Sequence, residues 1–259
     1  MSVYTFWQNR SSASAPPPYV LLCLVSMERA LGDNFTLVSS RNLAEVLGDD
    51  VPHKHWRFTS LGSAEKIEVR SIVAKSDYLR MKLVGDKGGY WIDADTLVFR
   101  DFTSVLDREL HKGKLLWHSE QLFGAEAKNE ILLTAAENMF TQEYQTWGNP
   151  GGIKDLVESN PDMIAKIDFN MIATKSSPEY GFSNQEVVLD RQMPVSDFLA
   201  NPDQRILKLY NTALSDSSIS DVSVEEFLDS STLLAKIFLS VEDRKFWVER
   251  SKAFVESHF

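Results

Sequence analysis

Two carboxylates two residues apart, Asp93 and Asp95, close a short aromatic run, Tyr90-Trp91-Ile92. Aromatic and β-branched residues in sequence read as a strand. A strand's period of two then puts both carboxylates on one side. Two such groups a few ångströms apart repel unless a positive charge lies between them. A divalent cation meets that need: hard oxygen donors suit Mg2+ or Mn2+, and such an ion suits a diphosphate. Just upstream, Asp77 and Arg80 are three residues apart on a helical pattern. As a plain surface pair they would contribute about 0.2–0.5 kcal/mol. A charge-assisted contact from Arg80 to a diphosphate or a sugar would contribute about 1.5–3 kcal/mol. Their place before the strand carrying the Asp pair favours the second role.

Several elements must position these groups. Val69, Ile72, Val73, Leu79 and Leu83 recur at three- and four-residue spacing, which predicts a helix with one buried face. Gly88-Gly89 stops it with a left-handed cap. Val3 to Trp7 reads as a first strand, followed by Gln8-Asn9 and a loop with Pro16-Pro17-Pro18. Tyr19 to Leu31 is helical and stops at Gly32. Phe35 to Ser39 is a second strand, and Arg41 to Leu47 a short helix capped by Ser39 or Ser40. This β–α–β–α order predicts an α/β fold with parallel strands and right-handed crossovers. Ligands in such sheets sit at the carboxyl ends of the strands. Trp7, Gln8, Ser39 and the Asp pair therefore fall on one rim.

The run Ser76, Asp77, Arg80, Gly88, Gly89, Tyr90, Trp91, Asp93, Asp95 resembles the DXD region of GT-A glycosyltransferases, specifically the capsular-polysaccharide-synthesis and DXD sugar-transferase group. The opening is similar too: Trp7-Gln8, Pro18, Tyr19-Val20 and Cys23. The late run Arg205 to Asn211 resembles that group's His-Leu-Tyr-Asn element, with Lys208 where His is usual, and Ser231 with Leu233-Leu234 resembles its closing segment. The resemblance implies one GT-A, Rossmann-like domain over 1–259: a nucleotide-sugar-binding part (1–110), an acceptor-side part (111–220) and a helical tail (221–259). It implies Mn2+ or Mg2+ held by Asp93, Asp95 and Asn211. It also implies a nucleotide-sugar site of Trp7, Gln8, Asp77, Arg80, Gly89, Asp93 and Asn211, with Trp7 facing the base. Asp93, Asp95 and Glu120 are the candidate catalytic carboxylates, and retention of anomeric configuration is implied. The donor would be a nucleoside-diphosphate sugar and the acceptor a glycan or lipid-linked glycan of a bacterial surface polysaccharide.

Further along, Thr96 to Phe99 continues as a strand, and Asp101 to Leu110 reads as a turn and short helix. Leu115 to Trp117 is a strand ending at His118-Ser119-Glu120. Ala125 to Tyr144 reads as a long helix with Leu132, Leu133, Ala136, Met139 and Phe140 as a packing stripe. Asn149-Pro150-Gly151-Gly152 before a helix near Ile153 could cradle an anion or sugar. His53 and His55 flank Lys54 in a loop, and a pocket-mouth role is favoured over metal binding. Ser176 to Gly181 and Asn201-Pro202 read as turns, Arg205 to Asn211 as a late strand, and Val222 to Phe259 as helical.

Composition excludes other classes. A chain of 259 residues with 43% hydrophobic and 25% charged residues can bury a substantial core. A net charge of −10 argues against nucleic acid as a partner. The single cysteine, Cys23, lies in an apolar run and reads as a buried thiol. No secretory signal and no apolar stretch of membrane-spanning length is read. A cytoplasmic protein, associated through a partner with the inner face of the inner membrane, is the expectation. Two rival readings remain open. Asp93-Ala94-Asp95-Thr96 also satisfies the Asp-x-Asp-x-Thr string of haloacid-dehalogenase-type phosphatases, where the first Asp is a covalent nucleophile. A non-catalytic glycan- or nucleotide-binding protein is the other.

Overall fold

A computed structural model describes residues 1–47, 64–110, 113–141, 151–167, 185–198 and 204–259. In chain order the elements are β1 (Val3–Phe6), α1 (Pro18–Leu31), β2 (Phe35–Val38), α2 (Leu43–Leu47), α3 (Ala64–Lys87), β3 (Gly89–Ile92), β4 (Thr96–Val98), α4 (Thr103–Leu110), β5 (Leu115–Ser119) and β6 (Leu122–Ala125). They continue as α5 (Glu130–Thr141), α6 (Ile153–Ser159), β7 (Ile164–Lys166), α7 (Gln185–Val188), α8 (Val195–Phe198), β8 (Ile206–Lys208), α9 (Asn211–Leu214), α10 (Val224–Asp229), α11 (Leu233–Val241) and α12 (Arg244–His258). His53, His55, Trp147 to Pro150, Ser176 to Gly181 and Asn201-Pro202 lie outside the described residues.

The chain divides into two compact units: residues 1–13, 34–93 and 103–167 form the first, and 14–33, 94–102 and 168–259 the second. The first unit holds a six-stranded mixed sheet in the order β2-β1-β3-β6-β5-β7. Strand β1 pairs in parallel with β2 (Val3 opposite Phe35) and with β3 (Val3 opposite Tyr90). The chain therefore goes from β1 to β2 on one side, then returns to β3 on the other. That reversal of strand order flanks β1, and crevices at such points are where open α/β sheets take ligands. Helix α3 lies on β1, β3 and β6 and packs along α5. The core between them contains Phe6, Tyr78, Leu79, Leu83, Trp91, Phe123, Leu132 and Met139.

Local chemistry explains these elements. Helix α3 ends at Lys87 because Gly88 turns left-handed (φ 71) and donates its N–H to the Val84 carbonyl at 2.9 Å. Gly89 follows at φ 108, and Tyr90 donates its N–H to the Ser2 carbonyl at 2.9 Å. A Cβ at Gly89 would lie 2.4 Å from the Ser2 carbonyl oxygen, so only glycine lets α3 turn directly into β3 beside β1.

One expected element is corrected. The long helix read from Ala125 onward is β6 followed by the shorter α5, which starts at Glu130. Gly124 in β6 lies so close to the Tyr90 ring that a Cβ would meet it at 2.3 Å; its small size lets β6 pair antiparallel with β3. Asn129 then caps α5, its Oδ1 accepting the Leu132 N–H at 3.1 Å. Likewise, Thr96 to Val98 leaves the main sheet and pairs antiparallel with β8.

In the second unit, α1 packs against β4, α10 and α12. It is buried from Pro18 to Met27, and Gly32 (φ 55) ends it as expected. The expected helical tail is α10, α11 and α12. Their starts are capped by Ser223, Thr232 and Asp243, each accepting a backbone N–H three residues on. Phe238, Trp247 and Phe254 are buried there, with the Trp247 indole N–H on the Phe238 carbonyl at 2.9 Å. Among the described residues no helix is long and apolar enough to cross a membrane.

Gly89→Ala should lower stability by about 3 kcal/mol or more, from backbone strain together with the clash. Urea unfolding checks this; a loss within 0.5 kcal/mol, the range of an ordinary surface change, would contradict it.

Candidate functional site

Arg80, on α3, organises the carboxyl end of β3. Its guanidinium is 3.0 Å from an Asp77 carboxylate oxygen and 3.5 Å from Asp93 Oδ1. It also donates to the Glu120 backbone carbonyl at 2.8 Å and to Ser76 Oγ at 3.2 Å. The guanidinium carbon stands 5.4 Å from the centroid of the Trp91 ring, a cation–π contact. Ser76, Asp77 and Arg80 meet β3 because residues three and four apart share a helix face. The Arg80 and Asp77 side chains are 8% and 4% exposed, so this is a buried pair. Removing one partner of such a pair typically costs about 3–5 kcal/mol.

Asp93 is the more open carboxylate, at 17%. Its Oδ1 accepts the Trp91 indole N–H at 2.9 Å, and its own N–H donates to the Gln121 carbonyl at 3.1 Å. The β5–β6 turn thus fixes both Asp93 and Arg80, and Glu120 joins the cluster through that turn. Burial pushes the Asp77 carboxyl up to about 6; the Arg80 charge pulls the other way, and Asp93 and Glu120 push it further up.

The carboxyl end of β1 carries a second set. The Trp7 indole donates to Asn9 Oδ1 at 2.8 Å, and its backbone N–H donates to the Val38 carbonyl at 3.0 Å. Gln8 Oε1 accepts from the Lys75 ammonium at 2.7 Å, and burial lowers the Lys75 pKa. Lys75 is on α3, five residues before Arg80, so α3 supplies cations to both strand ends. The structure therefore brings Asp77 and Arg80 of α3 and Glu120 of the β5–β6 turn together with Asp93 at the end of β3, and places Trp7 and Gln8 at the end of the adjacent β1. Gly89 is not among them: it opens β3 at the far end from Asp93, and its packing against Ser2 accounts for its glycine. Lys75 reads in the sequence as one more polar helix position; at five residues before Arg80 it is about 140° around the helix, so spacing gives no signal for it.

Asp95 belongs to the second unit, and its surroundings differ. Its backbone carbonyl accepts the Leu209 N–H at 2.8 Å, and Oδ2 accepts the Asn211 N–H at 2.6 Å. Oδ1 accepts from the Lys208 ammonium in a close ion pair, with side chains 9% and 12% exposed. Asn211 Oδ1 accepts the Tyr19 hydroxyl at 2.7 Å. Asn211 thus reaches Asp95 through its backbone, while its side chain is held by α1. Burial, with the Asp95 charge adding to it, raises the Cys23 thiol pKa. The thiol is buried, as its apolar run predicted.

This donor set bears on the expected Mn2+ or Mg2+. Among the described residues, no three His, Cys, Asp or Glu side chains cluster so as to hold a metal ion. Both Asp95 oxygens have protein donors, one of them cationic. A dication about 4 Å from an ammonium is repelled by about 8 kcal/mol at an effective dielectric of about 20. As arranged, Asp95 and Asn211 fit an ammonium and not a divalent ion.

No family model matches the chain, and no curated protein matches it by sequence. Among the solved structures to which it is similar are glycosyltransferases. The galactosyltransferase LgtC, in complex with donor and acceptor sugar analogs, is 11% identical, with a TM-score of 0.41 over 96% of this chain and 100% of that one. GlyE of Streptococcus pneumoniae TIGR4 is 11% identical, with a TM-score of 0.46 over 93% of this chain and 64% of that one. PaToxG glycosyltransferase is 13% identical, with a TM-score of 0.39 over 62% and 67%. The chain spans less than two thirds of the GlyE chain. The fold class rests on the strand topology above, and the site on its own geometry.

The raised Asp77 pKa gives a signed pH dependence. Between its ordinary 3.8 and about 6 the folded protein keeps a proton that the unfolded chain has released. Stability from this group is therefore fully present below about pH 4 and falls as pH rises to about 6, by about 3 kcal/mol in all. Asp77→Asn should flatten that part of the profile. Urea unfolding at pH 4.5 and 7 checks this; an unchanged slope in the variant would contradict the assignment.

Proposed function

We propose that the protein is a glycosyltransferase that moves a sugar from a nucleoside diphosphate to a glycan or lipid-linked glycan. The observation that carries this reading is the shared rim of β1 and β3, where strand order reverses. The β1 end offers an aromatic ring, an amide and an ammonium in Trp7, Gln8 and Lys75. These suit a base, a ribose and a phosphate. The β3 end offers alternating acceptors and donors in Asp77, Arg80 and Asp93. Carboxylates accept from sugar hydroxyls and the guanidinium donates to them, so this set suits a polyol.

In the reaction, the bond from the anomeric carbon to the diphosphate oxygen breaks, and its electron pair leaves on the diphosphate. An acceptor hydroxyl oxygen bonds to the anomeric carbon, and its proton passes to the departing phosphate. Retention of configuration, implied by the sequence resemblance, is consistent with that same-face route. Asp93 and Asp77 orient the sugar hydroxyls, Arg80 fixes both carboxylates, and Glu120 adds negative charge on the sugar side. Assembly of a bacterial surface polysaccharide at the inner face of the membrane is the context that resemblance suggests.

The test is a panel of nucleoside-diphosphate sugars assayed for binding by calorimetry and for slow hydrolysis without acceptor. One donor should bind and be hydrolysed. Asp93→Asn should cut turnover at least 100-fold with its melting temperature retained, and Arg80→Lys should weaken donor binding about 10–100-fold. Phosphate release from simple sugar phosphates with no nucleotide bound would favour the phosphatase reading, and binding without turnover the non-catalytic one.

A further inference from the structure

We propose that Lys208 holds, at Asp95, the place of a cationic cofactor, so that this site takes no divalent metal ion. Lys208 ends β8, and its register partner across the two-stranded sheet is Thr96, the residue after Asp95. The Asp95 carbonyl is bonded to the Leu209 N–H, so Asp95 and the Lys208 side chain are fixed on adjoining backbones. The ammonium also stands 5.6 Å from the centroid of the Tyr210 ring. Tyr210 itself is left-handed (φ 51), a conformation uncommon for a tyrosine, and it directs the Asn211 N–H onto Asp95 Oδ2. The Tyr19 hydroxyl, from α1, then occupies Asn211 Oδ1.

Each carboxylate oxygen of Asp95 therefore already has a donor from the protein itself. Oδ1 faces an ammonium, Oδ2 a backbone N–H, and the neighbouring amide oxygen a phenol. Lysine donates hydrogen bonds and accepts none, so it cannot share a metal with Asp95. A dication entering here would have to displace a buried ammonium from its carboxylate. The consequence for the proposed transferase, on which this part rests, is a donor site whose affinity for the nucleotide does not depend on metal.

Two measurements separate this inference from the transferase reading. Mn2+ titration followed by electron paramagnetic resonance needs no nucleotide. Wild type and Asp95→Asn should give the same isotherm. Lys208→Gln, shown folded by circular dichroism, should bind Mn2+ at least tenfold more tightly than wild type, and the Lys208→Gln/Asp95→Asn double variant should lose that gain. An Mn2+ site in wild type that Asp95→Asn abolishes would overturn the proposal, as would a folded Lys208→Gln with the wild-type isotherm. Calorimetry with UDP, GDP, ADP, CDP and dTDP in EDTA gives the second arm. Binding in EDTA supports the proposal, and binding only with Mn2+ overturns it while leaving the transferase reading intact. Absence of nucleotide binding under both conditions overturns the transferase reading, and the Mn2+ isotherms still decide this one.

Discussion

One guanidinium holds the first unit's site in shape. Arg80 is buried among Asp77, Asp93 and the Glu120 carbonyl, and it lies over the Trp91 ring. Two carboxylates this close would be untenable in a poorly solvated pocket without it. Satisfying it dictates much around it. Helix α3 must cross the end of β3 with Ser76, Asp77 and Arg80 on the face toward it. The glycine pair must let that helix turn straight into the strand. The β5–β6 connection, irregular in register between Trp117 and Ser119, must bring the Glu120 and Gln121 carbonyls to Arg80 and to the Asp93 N–H.

The two carboxylates of the Asp-Ala-Asp triplet then have separate work. Asp93 follows β3 in one compact unit and is compensated by Arg80; Asp95 lies in the second and is compensated by Lys208. The like-charge problem that first suggests a metal is solved twice by protein cations. Arginine suits the first position because its planar fork reaches two carboxylates and a carbonyl at once. Lysine suits the second, where a single carboxylate oxygen and an aromatic face meet a compact charge.

Much of this was legible in the sequence because it rests on local rules. Period-three and period-four apolar spacing marked α3, although Val73 of that set is half exposed and not on the buried face; Gly88-Gly89 marked its end, and the aromatic triplet marked β3. The β–α–β order placed Trp7, Gln8, Ser39 and the Asp pair on one rim; Trp7 and Gln8 follow β1 and Asp93 follows the adjacent β3 in the first unit, whereas Asp95 falls in the second. What escaped depends on distant residues. Gly124 is in a strand because of the Tyr90 ring against it, a contact invisible in a segment that otherwise continues smoothly into helix-forming residues. The partner of Asp95 lies on β8, far along the chain, so spacing could show only that position 208 was a lysine. Lys75 gains its meaning from Gln8 at the end of another strand. Gly89 drew attention beside the motif, yet its reason is the Ser2 carbonyl.

The rim formed by the ends of β1 and β3 is the centre of this account, and two of the chain's six tryptophans report on it directly. The indole N–H groups of Trp7 and Trp91 donate to Asn9 and Asp93, whereas that of Trp247 is buried on the Phe238 carbonyl in the other unit. With 15N-labelled tryptophan, the indole resonances can be followed while a nucleoside-diphosphate sugar that binds by calorimetry is added. The account predicts that the Trp7 and Trp91 signals move with the binding curve and that Trp247 stays still. A bound donor that leaves Trp7 and Trp91 unmoved would contradict it.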